Sequence, residues 1–145
     1  MSTAVIERLS DATPEIAEQI GELLKQLTAK AQPLTLDRLE RMLASSSVVY
    51  VARVDGVIVG TVCRVDMRHP VRTKCWIEDL VVDEGHRGQQ IARRLMETAI
   101  GEAPDDAVSV SLNSNVARVQ SHRLYGGLGF EVREETRIWL LKLNS

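Results

Sequence analysis

Hydrophobic positions change their period several times along the chain, and each change marks an element. Residues 4–8 read as a short first strand. Thr13-Pro14 opens a helix, with Thr13 as N-cap and Pro14 at the first helical position. Ile16, Ile20, Leu23, Leu24 and Leu27 then recur at helical spacing and give that helix one apolar face. Gln32-Pro33 breaks the pattern. Leu36, Leu39 and Leu43, with Thr35 as cap, predict a second short helix, and Ser45-Ser46-Ser47 reads as a loop.

From here the period shortens. Residues 48–53 predict a strand, Asp55-Gly56 a tight hairpin turn, and residues 57–65 the returning strand. A loop around His69-Pro70 leads into a long strand over residues 74–82. A helix is predicted from Gln89 to about Ile100, with Ile91, Leu95 and Ala99 inward and Gly101 and Pro104 closing it. Val108, Val110 and Leu112 alternate as the next strand. The strand, helix and strand form a crossover unit, so these two strands are expected to be parallel. A last helix is predicted over residues 116–128, with Ala117, Ser121, Leu124, Tyr125 and Leu128 on one face and Gly129 at its end. Residues 130–132 and 138–143 are expected to make a closing antiparallel pair.

Composition narrows the picture. The chain has 145 residues, enough for one core, and is expected to form a single domain over residues 1–145. Its apolar fraction of 44% is ordinary for a globular protein, and its net charge of −2 argues against nucleic acid or an anionic membrane as partner. No apolar run approaches the roughly 20 residues of a membrane helix, and residues 1–9 lack a signal-peptide pattern. Cys63 and Cys75 are too few for a disulfide framework and read as reduced core thiols. A cytoplasmic location is expected. The three histidines, His69, His86 and His122, and the two cysteines show no metal-ligand spacing.

The chemistry concentrates in residues 76–92, WIEDLVVDEGHRGQQIA. An apolar strand runs through a polar turn into the basic, Gly-containing start of a helix. The first amides of a helix have no partner within it, and its positive dipole end faces the turn, so this order of elements makes an anion site. Glu78-Asp79 places acid inside the strand beside that site. Acid next to a phosphate cradle suggests proton chemistry beside a nucleotide-like cofactor. Simple alternation would put Trp76, Glu78 and Leu80 on one face and Ile77, Asp79 and Val81 on the other.

Arg87-Gly88-Gln89-Gln90-Ile91-Ala92 resembles the first signature of the GNAT N-acetyltransferases, Gln/Arg-x-x-Gly-x-Gly/Ala at a helix start. Leu124-Tyr125 followed by Gly129-Phe130 is similar to the second, an aromatic-bearing helix ending in Gly-Phe. The element order fits along nearly the whole chain. Ile77-Glu78-Asp79 also looks like the Glu-Asp pattern of polyamine-type members. The resemblance implies an α+β (α/β) GNAT fold: a central mixed, mostly antiparallel twisted sheet of about six or seven strands with about four helices. The fourth and fifth strands would be parallel and splayed to hold acetyl-CoA.

It also implies roles. Backbone groups of Leu80, Val81 and Val82 would hold the pantetheine arm. The amides of Arg87, Gly88, Gln89, Gln90, Ile91 and Ala92 would hold the pyrophosphate, with Arg87 adding charge. Glu78 would be the general base, against a salt-bridge or substrate-anchoring role. Asp79 would bind the amine, against a structural hydrogen bond. Tyr125 would protonate the leaving thiolate, against a purely packing role. Two positions depart from the pattern. Gln90 stands where the family usually has Gly, and a Gln here is expected to turn its side chain away if the position is helical. Arg118 falls where many members carry Asn, with Asn113 and Asn115 nearby as substitutes.

The activity implied is acetyl transfer from acetyl-CoA, as co-substrate, to a primary amine by direct attack in a ternary complex, without a metal. The acceptor could be a small molecule, a peptide N-terminus or a lysine, and the mildly acidic chain tips towards a cationic small molecule. The competing reading is a non-catalytic acyl-CoA-binding or interaction module. Homodimerisation through the C-terminal strands is compatible with the sequence.

Overall fold

The computed structural model describes residues 3–114 and 118–144. The chain divides between Asn113 and Ser114 into two compact units. The first carries β1 (Val5–Arg8), α1 (Pro14–Leu27), α2 (Leu36–Leu43), β2 (Ser47–Val54), β3 (Val57–Arg68), β4 (Thr73–Val82), α3 (Ile91–Gly101) and β5 (Ala107–Ser111). A short 3-10 turn, Glu84–His86, lies between β4 and α3.

Side-chain caps start the first two helices. Thr13 Oγ1 accepts from the Ile16 amide and Thr35 Oγ1 from the Arg38 amide, both at 3.1 Å. The five strands lie in sequence order, β1-β2-β3-β4-β5. The first three pairings are antiparallel, and β4 pairs with β5 in parallel, as the crossover through α3 requires. The mixed α+β class expected from the sequence is therefore present, with five strands among the described residues.

Alternation on β2 separates two cores. Val49 and Val51 join Leu9, Ile20, Leu23, Leu39, Ile58, Cys63 and Val81 beneath α1 and α2. Tyr50 and Ala52 face the other way, towards α3, whose Leu95, Met96 and Ala99 are wholly buried. Each such aliphatic side chain contributes about 1.5–3 kcal/mol. Gly60 lets α3 approach β3 closely: a Cβ there would lie 3.1 Å from Leu95 Cδ1 and 3.3 Å from Ile91 Cγ2.

A buried ion pair ties the far end of α3 to the sheet. Arg64 Nε donates to Asp66 Oδ1 at 2.8 Å, and its Nη1 donates to both the Tyr50 hydroxyl and the Ala99 carbonyl at 2.8 Å. Tyr50 in turn donates to Glu102, and the Cys75 thiol donates to Asp66. Every arm of the guanidinium thus has a partner, which a buried cation needs.

The second unit carries α4 (Val119–Gly127). Part of the sequence expectation for this helix, Val116 and Ala117, lies outside the described residues. Gly129 at φ +97° ends it: the Gly129 amide donates to the Gly126 carbonyl and the Phe130 amide to the Tyr125 carbonyl. This is the paired reverse bonding that a left-handed glycine permits. The expected closing pair of strands is not formed. Among the described residues, 130–144 contain no strand, and Ile138, Trp139, Leu140, Leu141 and Leu143 are all exposed. An apolar run is held as a strand only by a ladder partner, because its N–H and C=O groups otherwise turn to water. The expected sixth and seventh strands are therefore missing from the described residues.

Candidate functional site

The β3–β4 ladder carries the central irregularity of the first unit. Cys63 pairs with Glu78, yet Thr61, two residues away, pairs with Val81, three residues away. One extra residue is accommodated in β4, a β-bulge. Asp79 takes the left-handed conformation that this requires, at φ +54°. The bulge corrects simple alternation. Trp76 and Glu78 share a face with their partners Val65 and Cys63, but Val81 rejoins that same face instead of opposing it.

Glu78 and Asp79 are both exposed at this kink. The Glu78 carboxyl is held above the ordinary range, first by partial loss of water and second by the neighbouring Asp79 charge. Such a carboxylate is a better proton acceptor than a free one. Its cross-strand neighbour, the Cys63 thiol, is pushed up to about 11, chiefly by burial, and stays protonated.

Beyond the bulge β4 has an open side. Its parallel pairing with β5 runs from Thr73↔Ala107 to Trp76↔Ser111 and stops there. Leu80, Val81 and Val82 therefore lie past the last rung of the β4–β5 ladder, because β5 itself ends at Ser111. Val81 and Val82 are buried and Leu80 is half-buried.

The loop after β4 prepares the start of α3. Arg87 Nε donates to the Val82 carbonyl at 3.2 Å, which folds its side chain back over the strand end. Gly88 follows at φ +81° and Gln90 at φ +63°. The helix begins at Ile91, so Gln89 and Gln90 precede it. Gln90 is the N-cap, left-handed rather than helical, and gives no side-chain capping bond. That corrects the expectation of a helical glutamine. The family's glycine at this position is explained by the backbone itself, because a positive φ costs an L-residue about 1–2 kcal/mol. Unlike α1 and α2, α3 thus leaves the first-turn amides of Ile91, Ala92 and Arg93 without a capping side chain. A phosphate suits that cradle.

Two sequence expectations stand at the edges of this unit or beyond it. Asn113 is exposed just after β5, and Asn115 lies outside the described residues. In the second unit, Arg118 is the exposed N-cap residue of α4. Tyr125 is half-buried, with its ring edge-to-face to Phe130 at 6.0 Å between centroids. Burial raises the phenol above its ordinary value, against the opposing pull of the Arg118 charge and a Ser121 hydrogen bond. Tyr125 therefore keeps its proton at neutral pH and can donate it.

Sequence reasoning missed a cluster at the head of the loop between β4 and α3. Asp83 accepts from Gln26 Nε2 at 2.9 Å, from the Gly85 amide at 3.2 Å, and faces His86 Nδ1 at 3.0 Å. These contacts, the Gln26 bond foremost, hold the Asp83 carboxyl below its ordinary range. His86 is part of this cluster. The Asp83-x-Gly85 spacing is a usable turn signal, but nothing in the sequence pairs it with Gln26.

Among the described residues no helix is long and apolar enough to cross a membrane, and no group of three or more His, Cys, Asp or Glu could hold a metal ion. Residues 14–130 match the acetyltransferase (GNAT) family. The fold is similar to that of a protein from Agrobacterium tumefaciens (TM-score 0.82, 23% identity, 95% of this chain and 99% of that one). It is also similar to an acetyltransferase of Trypanosoma brucei (TM-score 0.79, 24% identity, 97% and 100%). A third likeness is to glucosamine-6-phosphate N-acetyltransferase from Arabidopsis thaliana (TM-score 0.75, 23% identity, 99% and 99%). No match was found among curated proteins.

Proposed function

We propose that this chain, which belongs to the acetyltransferase (GNAT) family, transfers the acetyl group of acetyl-CoA to a primary amine by direct attack in a ternary complex. The observation that carries the reading is the pairing of a bulged strand bearing Glu78 with an uncapped helix start one loop later. The first can supply a base and the second a seat for phosphate.

An alkylammonium has a pKa of roughly 10.4 and must lose a proton before its nitrogen can attack. Glu78, with its raised pKa, takes that proton directly or through one water. The amine nitrogen then bonds to the thioester carbon, the carbon–sulfur bond breaks, and the electron pair leaves with sulfur. Tyr125, protonated at neutral pH, gives a proton to that thiolate, and the second proton shed by the new amide nitrogen restores the phenol, directly or through water. Leu80, Val81 and Val82 hold the pantetheine arm through their backbone groups. Residues 87–92 hold the pyrophosphate, with Arg87 adding charge. Asn113 and Arg118 are the further candidates for cofactor contact. The exposed Asp79 beside Glu78 favours a cationic amine, and a small cationic molecule is the acceptor proposed.

Calorimetric titration with acetyl-CoA and with CoA tests this reading. Micromolar binding, followed by thiol release with at least one amine of a broad panel, is expected. Binding without thiol release from any amine would support a non-catalytic acyl-CoA-binding module instead. No binding of either ligand would overturn the acetyl-transfer reading and favour a non-catalytic interaction module.

A further inference from the structure

We propose that Gln26 is a positioning residue for the phosphate-binding loop: its amide holds Asp83 and Glu84 together, so that α1 sets where residues 87–92 stand. The inference rests on the reading of those residues as the seat of the acetyl-CoA phosphates.

The loop needs such a hold. Between the end of β4 and the start of α3 the chain passes through a single 3-10 turn and two left-handed residues, Gly88 and Gln90. Ordering each backbone residue costs conformational entropy. A Cβ at Gly88 would meet nothing within 4 Å, so this half of the loop stands open. Whatever ordering the protein does not supply must come from the ligand, and affinity falls accordingly.

The first half of the loop is held from α1. Gln26 lies in the last turn of that helix, and its carboxamide makes two opposite bonds. Nε2 donates to Asp83 Oδ1 at 2.9 Å, and Oε1 accepts from the Glu84 amide at 3.0 Å. Only a carboxamide offers a donor and an acceptor side by side in this way. Asp83, once held, uses its other oxygen for the Gly85 amide and the His86 ring. A Cβ at Gly85 would lie 3.1 Å from Asp83 Oδ2, so the turn closes tightly around that carboxylate. The Asp83 amide donates to the Val59 carbonyl at 2.8 Å and fixes the loop to β3. The position of the loop head is thus shared between the sheet and α1, whose hydrogen bonds to it come from the Gln26 carboxamide.

The test compares acetyl-CoA with acetyl-pantetheine, which lacks the phosphates. Replacing Gln26→Leu is expected to weaken acetyl-CoA binding by about three- to tenfold, the worth of one or two net hydrogen bonds. Acetyl-pantetheine affinity should stay unchanged. Gln26→Glu alone, which sets two carboxylates against each other, should lose at least as much. Combining Gln26→Glu with Asp83→Asn restores a donor–acceptor pair and should recover most of the loss. Unchanged acetyl-CoA affinity in Gln26→Leu would overturn the proposal, as would an equal loss for acetyl-pantetheine. Failure of the unsubstituted protein to bind acetyl-CoA would instead reject the proposed function.

Discussion

Glu78 stands directly opposite Cys63 in the β3–β4 ladder, and the bulge begins at the next residue. The carboxylate is thereby anchored by a regular rung on one side and released into an irregular backbone on the other. Its raised pKa follows from partial desolvation and from Asp79.

Glu78→Gln is expected to lower kcat by about 10²–10⁴-fold, the range for loss of a positioned base. The pH profile gives a second check. The proposed role of Glu78 requires its ionised carboxylate, so activity is expected to fall with decreasing pH through a pKa above the ordinary 4.5. A raised carboxyl pKa also means that the fold disfavours the charged form. The glutamine variant should therefore keep or slightly gain thermal stability at neutral pH while losing turnover.

Tyr125→Phe removes a proton donor and retains the ring that packs edge-to-face on Phe130. Turnover is expected to fall about 10²-fold, with acetyl-CoA affinity and melting temperature unchanged. Equal turnover in the variant would remove Tyr125 from the mechanism.

Gln90 holds a positive φ that glycine adopts freely. Gln90→Gly relieves backbone strain and adds unfolded-state entropy, two effects of similar size and opposite sign. Stability should change little, and acetyl-CoA is expected to bind at least as tightly, because glycine lets the backbone approach a ligand more closely. Gln90→Val places a β-branched residue at the same φ and should cost about 1–3 kcal/mol. Thermal melts of the two variants read the difference.

Arg64 and Asp66 are both nearly fully buried. Burial alone would raise the Asp66 pKa, but bonds from Arg64 and Cys75, with the Arg64 charge, bring it below its ordinary value. Arg64→Met strands that carboxylate and should cost about 3–5 kcal/mol at neutral pH. A depressed carboxyl pKa contributes stability above its unfolded value that is lost as pH falls through the folded one. The gap in melting temperature between parent and variant should therefore narrow below about pH 4. A gap that does not depend on pH would argue that packing, not charge, dominates.

Cys63 and Cys75 are buried, and both thiols are pushed up to about 11, first by loss of water. The reactive species is the thiolate, so native protein at pH 8 should resist a disulfide-exchange reagent. Two thiols per chain should react after denaturation. Rapid reaction of the native protein would contradict the buried placement.

Much of the architecture was written in residue periods. Ile16, Ile20 and Leu23 could only face a core as a helix, and Thr13 and Thr35 announced where α1 and α2 begin. The order of elements from β4 through α3 to β5 required parallel strands. These are local properties, carried by neighbours in the chain. Three others were not local. The bulge at Asp79 depends on the register that β3 imposes, so alternation misplaced Val81. The left-handed state of Gln90 depends on how the loop must enter α3. The contact of Gln26 with Asp83 joins residues 57 positions apart. The apolar run at 138–143 marks the same boundary from the other side, since its composition suits a strand but only a partner could make it one. Sequence by itself determined most of the elements and where α1 and α2 begin, because period and capping act within a few residues. Tertiary structure alone decided register, bulge and loop anchorage, because those are settled by which distant backbone groups find each other.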